Sequence, residues 1–147
     1  VDRVAPNLTF GELIAQTPQV ILDALPQHVR WKLDRLWALD LPVHEFPLTE
    51  LDYLLDLPLW QDNGRRFQVT PRQVQRSPEA FPHHLARVQA ADLAYPVHIV
   101  THHGRPVILD GFHRLLKAAL ENRTTIPAMV LTDAQFSALA PVPPNSP

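Results

Sequence analysis

Asp110, Gly111, His113 and Arg114 stand together in the stretch VILDGFHRLLKA, Val107 to Ala118, where an apolar run gives way to a helical pattern. A helix start normally favours acidic residues, because its free N–H groups and the helix dipole are positive there. A histidine and an arginine in the first turn are electrostatically wrong for an empty helix end. With an anion present they are right: free N–H groups, an imidazole and a guanidinium all favour phosphate. Gly111 permits a backbone geometry or a close approach that a side chain would forbid. Structural roles compete with this reading. Asp110, at the N-cap or one residue before it, could accept hydrogen bonds from first-turn N–H groups, Arg114 could pair with Asp92 or Glu121, and His113 could be a satisfied core histidine. Spacing alone leaves both readings open.

Other residues capable of chemistry are more scattered. His83 and Arg87 form an i,i+4 pair on an expected helix. His98 and His102 share a strand face if that strand extends far enough. The chain has 8 histidines, but no helical i,i+4 histidine pair and no histidine–carboxylate spacing supports a zinc site. Trp31, Trp37 and Trp60 read as core or interface residues, and Arg65-Arg66 beside Gly64 reads as a solvated turn. With no cysteine among 147 residues, disulfides, thiolate metal sites and cysteine nucleophiles are all excluded. Net charge is −2, so the whole chain carries no electrostatic footprint for nucleic acid. Of the 13 basic residues, 11 are arginine, a bias that a high-GC genome explains as readily as function does.

The elements that must position these residues are set by periodicity and punctuation. Thr9 to Glu12 reads as a capping box, and apolar residues from Leu13 to Leu25 suggest two helical pieces parted at Pro18. Pro26 to Leu39 places Val29, Leu33, Leu36 and Trp37 on one helical face, so residues 1–41 read as a helical N-terminal extension packed on the remainder of the chain. Strands are expected at Pro42 to Leu48, Arg65 to Val69, Tyr95 to Val100, Pro106 to Leu109 and Ile126 to Leu131. Thr49 is expected to cap a short helix. Thr70-Pro71 and Ser77-Pro78 each offer a cap followed by proline at the first helical position; the second should open a helix that turns Leu85, Val88 and Ala91 to the core. His102 to Arg105 reads as a hairpin turn. A helix over 111–121 and a short one capped by Thr132 complete the chain, and the proline-rich tail 141–147 reads as disordered. This order predicts an α+β domain over 42–140: a small mixed β-sheet with flanking helices.

PVHIV from Pro96, VILDGFHRLLKA from Val107 and IPAMV from Ile126 together resemble the ParB/sulfiredoxin-like superfamily, whose signature runs from a PI-x-V strand through a DGxHR junction to an IP strand. The likeness covers residues 81–131 well and 43–60 loosely. It implies a nucleotide phosphate held by the backbone of Gly111 and Phe112 with His113 and Arg114. It also sets the helix carrying Arg87 beside the ligand cleft, which would make Arg87 a second phosphate or substrate contact, with an ion pair to Asp92 or plain solvent exposure as the competing roles.

Sulfiredoxins carry a catalytic cysteine before the His-Arg pair, where this chain has Phe112, so that chemistry is excluded. Chromosome-partitioning ParB proteins add a helix-turn-helix module, for which residues 132–147 leave little room; DNA is therefore not an expected partner. The nearest functional analogue is the group of ParB-like free-serine kinases. That likeness implies ATP, ADP or CTP as nucleotide, Mg²⁺ at Asp110, a small hydroxyl-bearing substrate, and Asp110, His113 and Asp56 as catalytic residues. Asp56 would be the base, with Glu50 as second choice. Phe112 replaces the first histidine of the kinase pattern DGHHR.

The alternative is a non-catalytic nucleic-acid- or protein-binding module related to ParB, with the helical lead-in as its partner surface. No segment approaches the roughly 20 apolar residues of a membrane span, and no secretory signal is visible at Val1 to Pro6. A cytoplasmic location is the expectation, with oligomeric state left open, a homodimer included.

Overall fold

A computed structural model describes residues 17–26 and 31–140. The expected α+β class holds: six α-helices and three short 3-10 turns surround a four-stranded sheet and a separate two-stranded one. The capping box at Thr9, Val29 and the tail 141–147 lie outside the described residues.

The main sheet runs in the order β1 (Val43–Pro47), β6 (Thr125–Val130), β4 (Val97–His102), β5 (Arg105–Asp110). β1 and β6 are antiparallel, β6 and β4 parallel, β4 and β5 antiparallel, which makes the sheet mixed. β4 and β5 join through His103 and Gly104, at φ 52° and 76°. Positive φ at both central residues is what a two-residue type I′ hairpin requires. Asn63 and Gly64, at φ 51° and 77°, do the same between β2 (Trp60–Asp62) and β3 (Arg65–Val69).

α5 (Phe112–Leu120) carries the chain from β5 back to β6. Its apolar residues recur at helical spacing, so Leu115, Leu116 and Ala118 enter the core while Lys117 reaches out to the carbonyls of Gln89 and Ala91. Val97, Ile99, Val107, Ile108, Ile126 and Ala128 fill the same core from the sheet.

The N-terminal segment shares this core through Ile21, Leu25 and Leu36. α1 (Gln19–Ala24) is separated from α2 (Leu33–Trp37) by extended backbone at Lys32, whose N–H bonds the Leu139 carbonyl. That tertiary bond draws Lys32 out of helical geometry, so within the described part of the helix expected from Pro26 to Leu39 the helical residues are Leu33–Trp37. Its apolar face also splits. Leu36 is buried, while Leu33 and Trp37 are 41% and 62% exposed.

A second boundary differs from expectation. Pro78 opens only a 3-10 turn, Pro78–Ala80, and α4 begins afresh at Pro82, running Pro82–Ala90. Pro82 has no N–H to bond the carbonyl of Pro78, and its ring clashes there, so a helix from Pro78 cannot continue through it. The restart turns His84 and Val88 inward, leaving Leu85 and Ala91 half-buried. Thr70 and Gln73 form a reciprocal capping box on α3 (Pro71–Arg76), as Thr132 and Gln135 do on α6 (Asp133–Ser137). The Thr49 region folds as 3-10 turns, Leu48–Glu50 and Asp52–Asp56, without a side-chain cap.

Candidate functional site

β5 ends at Asp110 and α5 begins at Phe112, with Gly111 between them at φ +113°. A side chain at Gly111 would meet Val97 Cγ1 at 2.5 Å. Close packing of the junction on β4 therefore accounts for this glycine. Gly111 is the N-cap position of α5 and offers no side-chain cap, and Asp110 does not supply one. The first-turn N–H groups of Phe112, His113 and Arg114 accordingly have no capping partner among the described residues, and no acidic side chain lies in that turn.

The carboxylate of Asp110 is engaged elsewhere. Oδ1 lies 2.8 Å from His98 Nδ1, Oδ2 accepts from Trp37 Nε1 at 2.8 Å, and Arg114 Nη2 approaches Oδ2 at 3.4 Å. Burial pushes the Asp110 carboxyl up, but the hydrogen bonds from His98 and Trp37 and the charge of Arg114 outweigh it and hold the group below the usual carboxylate range. Asp110 is thus an anion that only accepts, which makes His98 Nδ1 the protonated nitrogen. His98 Nε2 has no hydrogen-bond partner among the described residues and is not among the ring nitrogens sealed from solvent.

Arg114 acts as a clamp. Its Nη1 donates to the carbonyls of Tyr95 and Pro96 at 3.0 and 2.6 Å, tying α5 to the loop before β4. Its ion pair is with Asp110 rather than Asp92 or Glu121; Glu121 pairs with Arg123.

His113 stacks on Trp60, ring centroids 4.5 Å apart and planes within 8°. His84 stacks on the same indole at 5.0 Å and 13°, and the two imidazoles are 6.4 Å apart. Rings on opposite faces would be separated by at least twice the ~3.5 Å contact distance, so both histidines lie side by side on one face. His84 Nε2 donates to the Gln61 carbonyl at 2.7 Å, leaving its Nδ1 without a partner, as is His113 Nε2. Burial, then the charges of Arg87 and His84, push His113 down to about 4. At neutral pH it is an uncharged ring, not a cation for an anionic ligand.

His98, Asp110, His113 and Arg114 line a cleft of about 1060 Å³. Its lining combines the junction residues Gly111, His113 and Arg114 with Arg87 and Asp92 and with apolar or aromatic side chains, Trp37, Tyr95 and Met129 among them. Arg87 makes no ion pair with any described residue. Of the residues singled out from the sequence, Asp110, Gly111, His113, Arg114 and Arg87 therefore meet in one place. Phe112 instead packs half-buried against the core. Asp56 is not a lining residue: it pairs with Arg72 at 3.0 Å beside Asp52, and the Arg72 hydrogen bond holds it below the usual carboxylate range.

His98, Trp37, Tyr95 and Met129 are site residues that the sequence did not indicate. His98 faces Asp110 only because of a bulge between His98 and Ile99. Unbroken pairing from the His103-Gly104 turn would set His98 opposite Leu109.

Mg²⁺ is typically held by one or two carboxylates together with substrate phosphates. Both oxygens of Asp110 are already taken, and no group of three or more His, Cys, Asp or Glu stands together among the described residues. The arrangement does not fit a resident Mg²⁺, and none is assigned a role. No described helix is long and apolar enough to cross a membrane. No family model, curated protein or solved structure matches the chain.

Proposed function

We propose that the cleft binds a phosphate-bearing ligand with a planar apolar part, a nucleotide such as ATP, ADP or CTP, in a domain of ParB/sulfiredoxin-like type. The observation that carries this reading is the start of α5, without a side-chain cap, in a cleft also lined by Arg87, which makes no ion pair with a described residue. Free N–H groups and a helix dipole attract anions, and a guanidinium without a partner adds a charge-assisted bond. The aromatic wall suits a base: Trp37 and Tyr95 both line the cleft and are 62% and 67% exposed. Phosphates would lie against Phe112, His113 and Arg114 backbone N–H groups, with neutral His113 offering a hydrogen bond rather than a charge. A cytoplasmic setting, where nucleotides are abundant, accords with this role.

Isothermal titration with ATP, ADP and CTP, each with and without Mg²⁺, tests the reading. At least one nucleotide should bind, Arg87→Ala should weaken it by about tenfold, the loss of one charged hydrogen bond, and added salt should weaken it further. No binding by any of the three, or unchanged affinity in Arg87→Ala, would overturn the proposal.

A further inference from the structure

His98 and Asp110 both line the cleft, and their 2.8 Å contact joins Nδ1–H to a carboxylate. The pair is locked in place. His98 is 6% exposed and paired in the sheet with Asp110 on one side and Met129 on the other. Trp37 and Arg114 fix Asp110 in turn. A carboxylate on Nδ1–H holds the tautomer in which Nε2 carries a lone pair, and it stabilises the imidazolium that forms when Nε2 takes a proton. His98 lines the cleft, and its Nε2 has no hydrogen-bond partner among the described residues.

We infer that His98 is a general base in this cleft, with Asp110 as its positioning residue, activating water against the terminal phosphorus of the bound nucleotide. The inference rests on the nucleotide-binding reading of the same cleft. Among the residues lining the cleft the only hydroxyl is that of Tyr95, and there is no serine, threonine or cysteine. No lining serine, threonine or cysteine competes as nucleophile, and water is taken as the proton donor to His98. The water oxygen forms a bond to phosphorus, the bridging P–O bond breaks with its electron pair going to the departing nucleoside phosphate, and the water proton passes to Nε2 and on to solvent. Asp110, implied by the family likeness as a metal ligand, serves here to orient an imidazole.

The charged and titratable groups sharing the cleft with His98 are Asp110 on β5, Arg114 and His113 on α5, Arg87 on α4, and Asp92 and Tyr95 in the loop before β4. Three measurements on the full chain decide the matter. Imidazole nitrogen NMR of the ligand-free protein should find His98 as the Nδ1–H tautomer. Phosphate release from ATP, ADP and CTP should fall at least about 100-fold in His98→Gln, the usual worth of a general base, with nucleotide affinity within threefold of wild type by titration calorimetry. Asp110→Asn should lose both the rate and the tautomer preference.

An Nε2–H tautomer at His98 overturns the proposal whether or not a nucleotide binds. So does phosphate release that is undiminished in His98→Gln, or absent from wild type with all three nucleotides. Calorimetry on the same samples then tells whether binding failed too: bound but unhydrolysed nucleotide sinks the base alone, and absent binding sinks the nucleotide reading with it.

Discussion

The indole Nε1 of Trp37 donates a 2.8 Å hydrogen bond to Oδ2 of Asp110, joining the N-terminal helical segment to the strand-to-helix junction. The two residues are 73 positions apart in sequence. α2 is held from its other side by Lys32 N–H on the Leu139 carbonyl and by Arg35 on the Ala140 carbonyl. The N-terminal segment thereby lines the cleft through Leu33, Trp37 and Leu39, with the Trp37 ring exposed and its one polar atom engaged.

Replacing Trp37 by Phe keeps an aromatic ring and deletes that bond. Because the pair is partly solvated, the loss should be near the ordinary hydrogen-bond value of about 1 kcal/mol rather than the larger figure for a buried charged pair. Urea unfolding should show a lowered midpoint with an unchanged slope. The remaining anchors of α2 predict that the helix stays docked, so a changed slope would mean that Trp37 holds the segment by itself.

Two glycines at positive φ separate backbone strain from crowding. Gly104 sits at φ +76° with no atom within 4 Å of an added Cβ, whereas at Gly111, φ +113°, the Cβ would meet Val97 Cγ1 at 2.5 Å and Arg114 Nη2 at 3.0 Å. Gly104→Ala should cost only the left-handed backbone penalty, about 1 kcal/mol. Gly111→Ala adds overpacking against a buried strand and should cost about 3 kcal/mol. Thermal or urea unfolding of the two variants side by side checks the difference; equal losses would mean that the junction yields to the methyl group.

Much of this architecture was legible because short-range chemistry decided it. The His103-Gly104 turn, the Thr70 and Thr132 caps and the apolar spacing of α5 each specify one local geometry, and each element lies where its residues indicated. Where the reading departed from the structure, a contact distant in sequence or a single atom decided. Lys32 is extended because Leu139 accepts its N–H, and Pro82 resets a helix that Ser77-Pro78 would otherwise have opened. The junction motif pointed to the cleft, since four of its five contiguous positions, Asp110, Gly111, His113 and Arg114, line it. His98 stayed hidden because a bulge, invisible to strand alternation, moves its partner by one residue. Trp37 looked like core because helical spacing groups it with Leu36, yet only Leu36 is buried.

His113 should leave a signature in the acid stability of the protein. Its folded-state value, pushed from 6.5 down to about 4 by burial and then by the charges of Arg87 and His84, means that the unfolded chain binds the proton more readily between those values. Stability rises with pH wherever the unfolded state holds more protons. The contribution of His113 is therefore complete above about pH 6.5 and is lost as pH falls towards 4. Since the ring is only part-buried, solvent screening reduces the effect to about 1–2 kcal/mol. Asp110 acts in a lower window: its folded value lies below 3.8, so its contribution is lost only as pH falls below that. His113→Phe keeps a ring on Trp60 and removes the titration. The difference in unfolding free energy between wild type and variant, followed from pH 7.5 to 4, should narrow or change sign by that amount as the wild type weakens. A difference that is flat across this range would show that the imidazole of His113 charges as readily in the folded protein as in the unfolded chain.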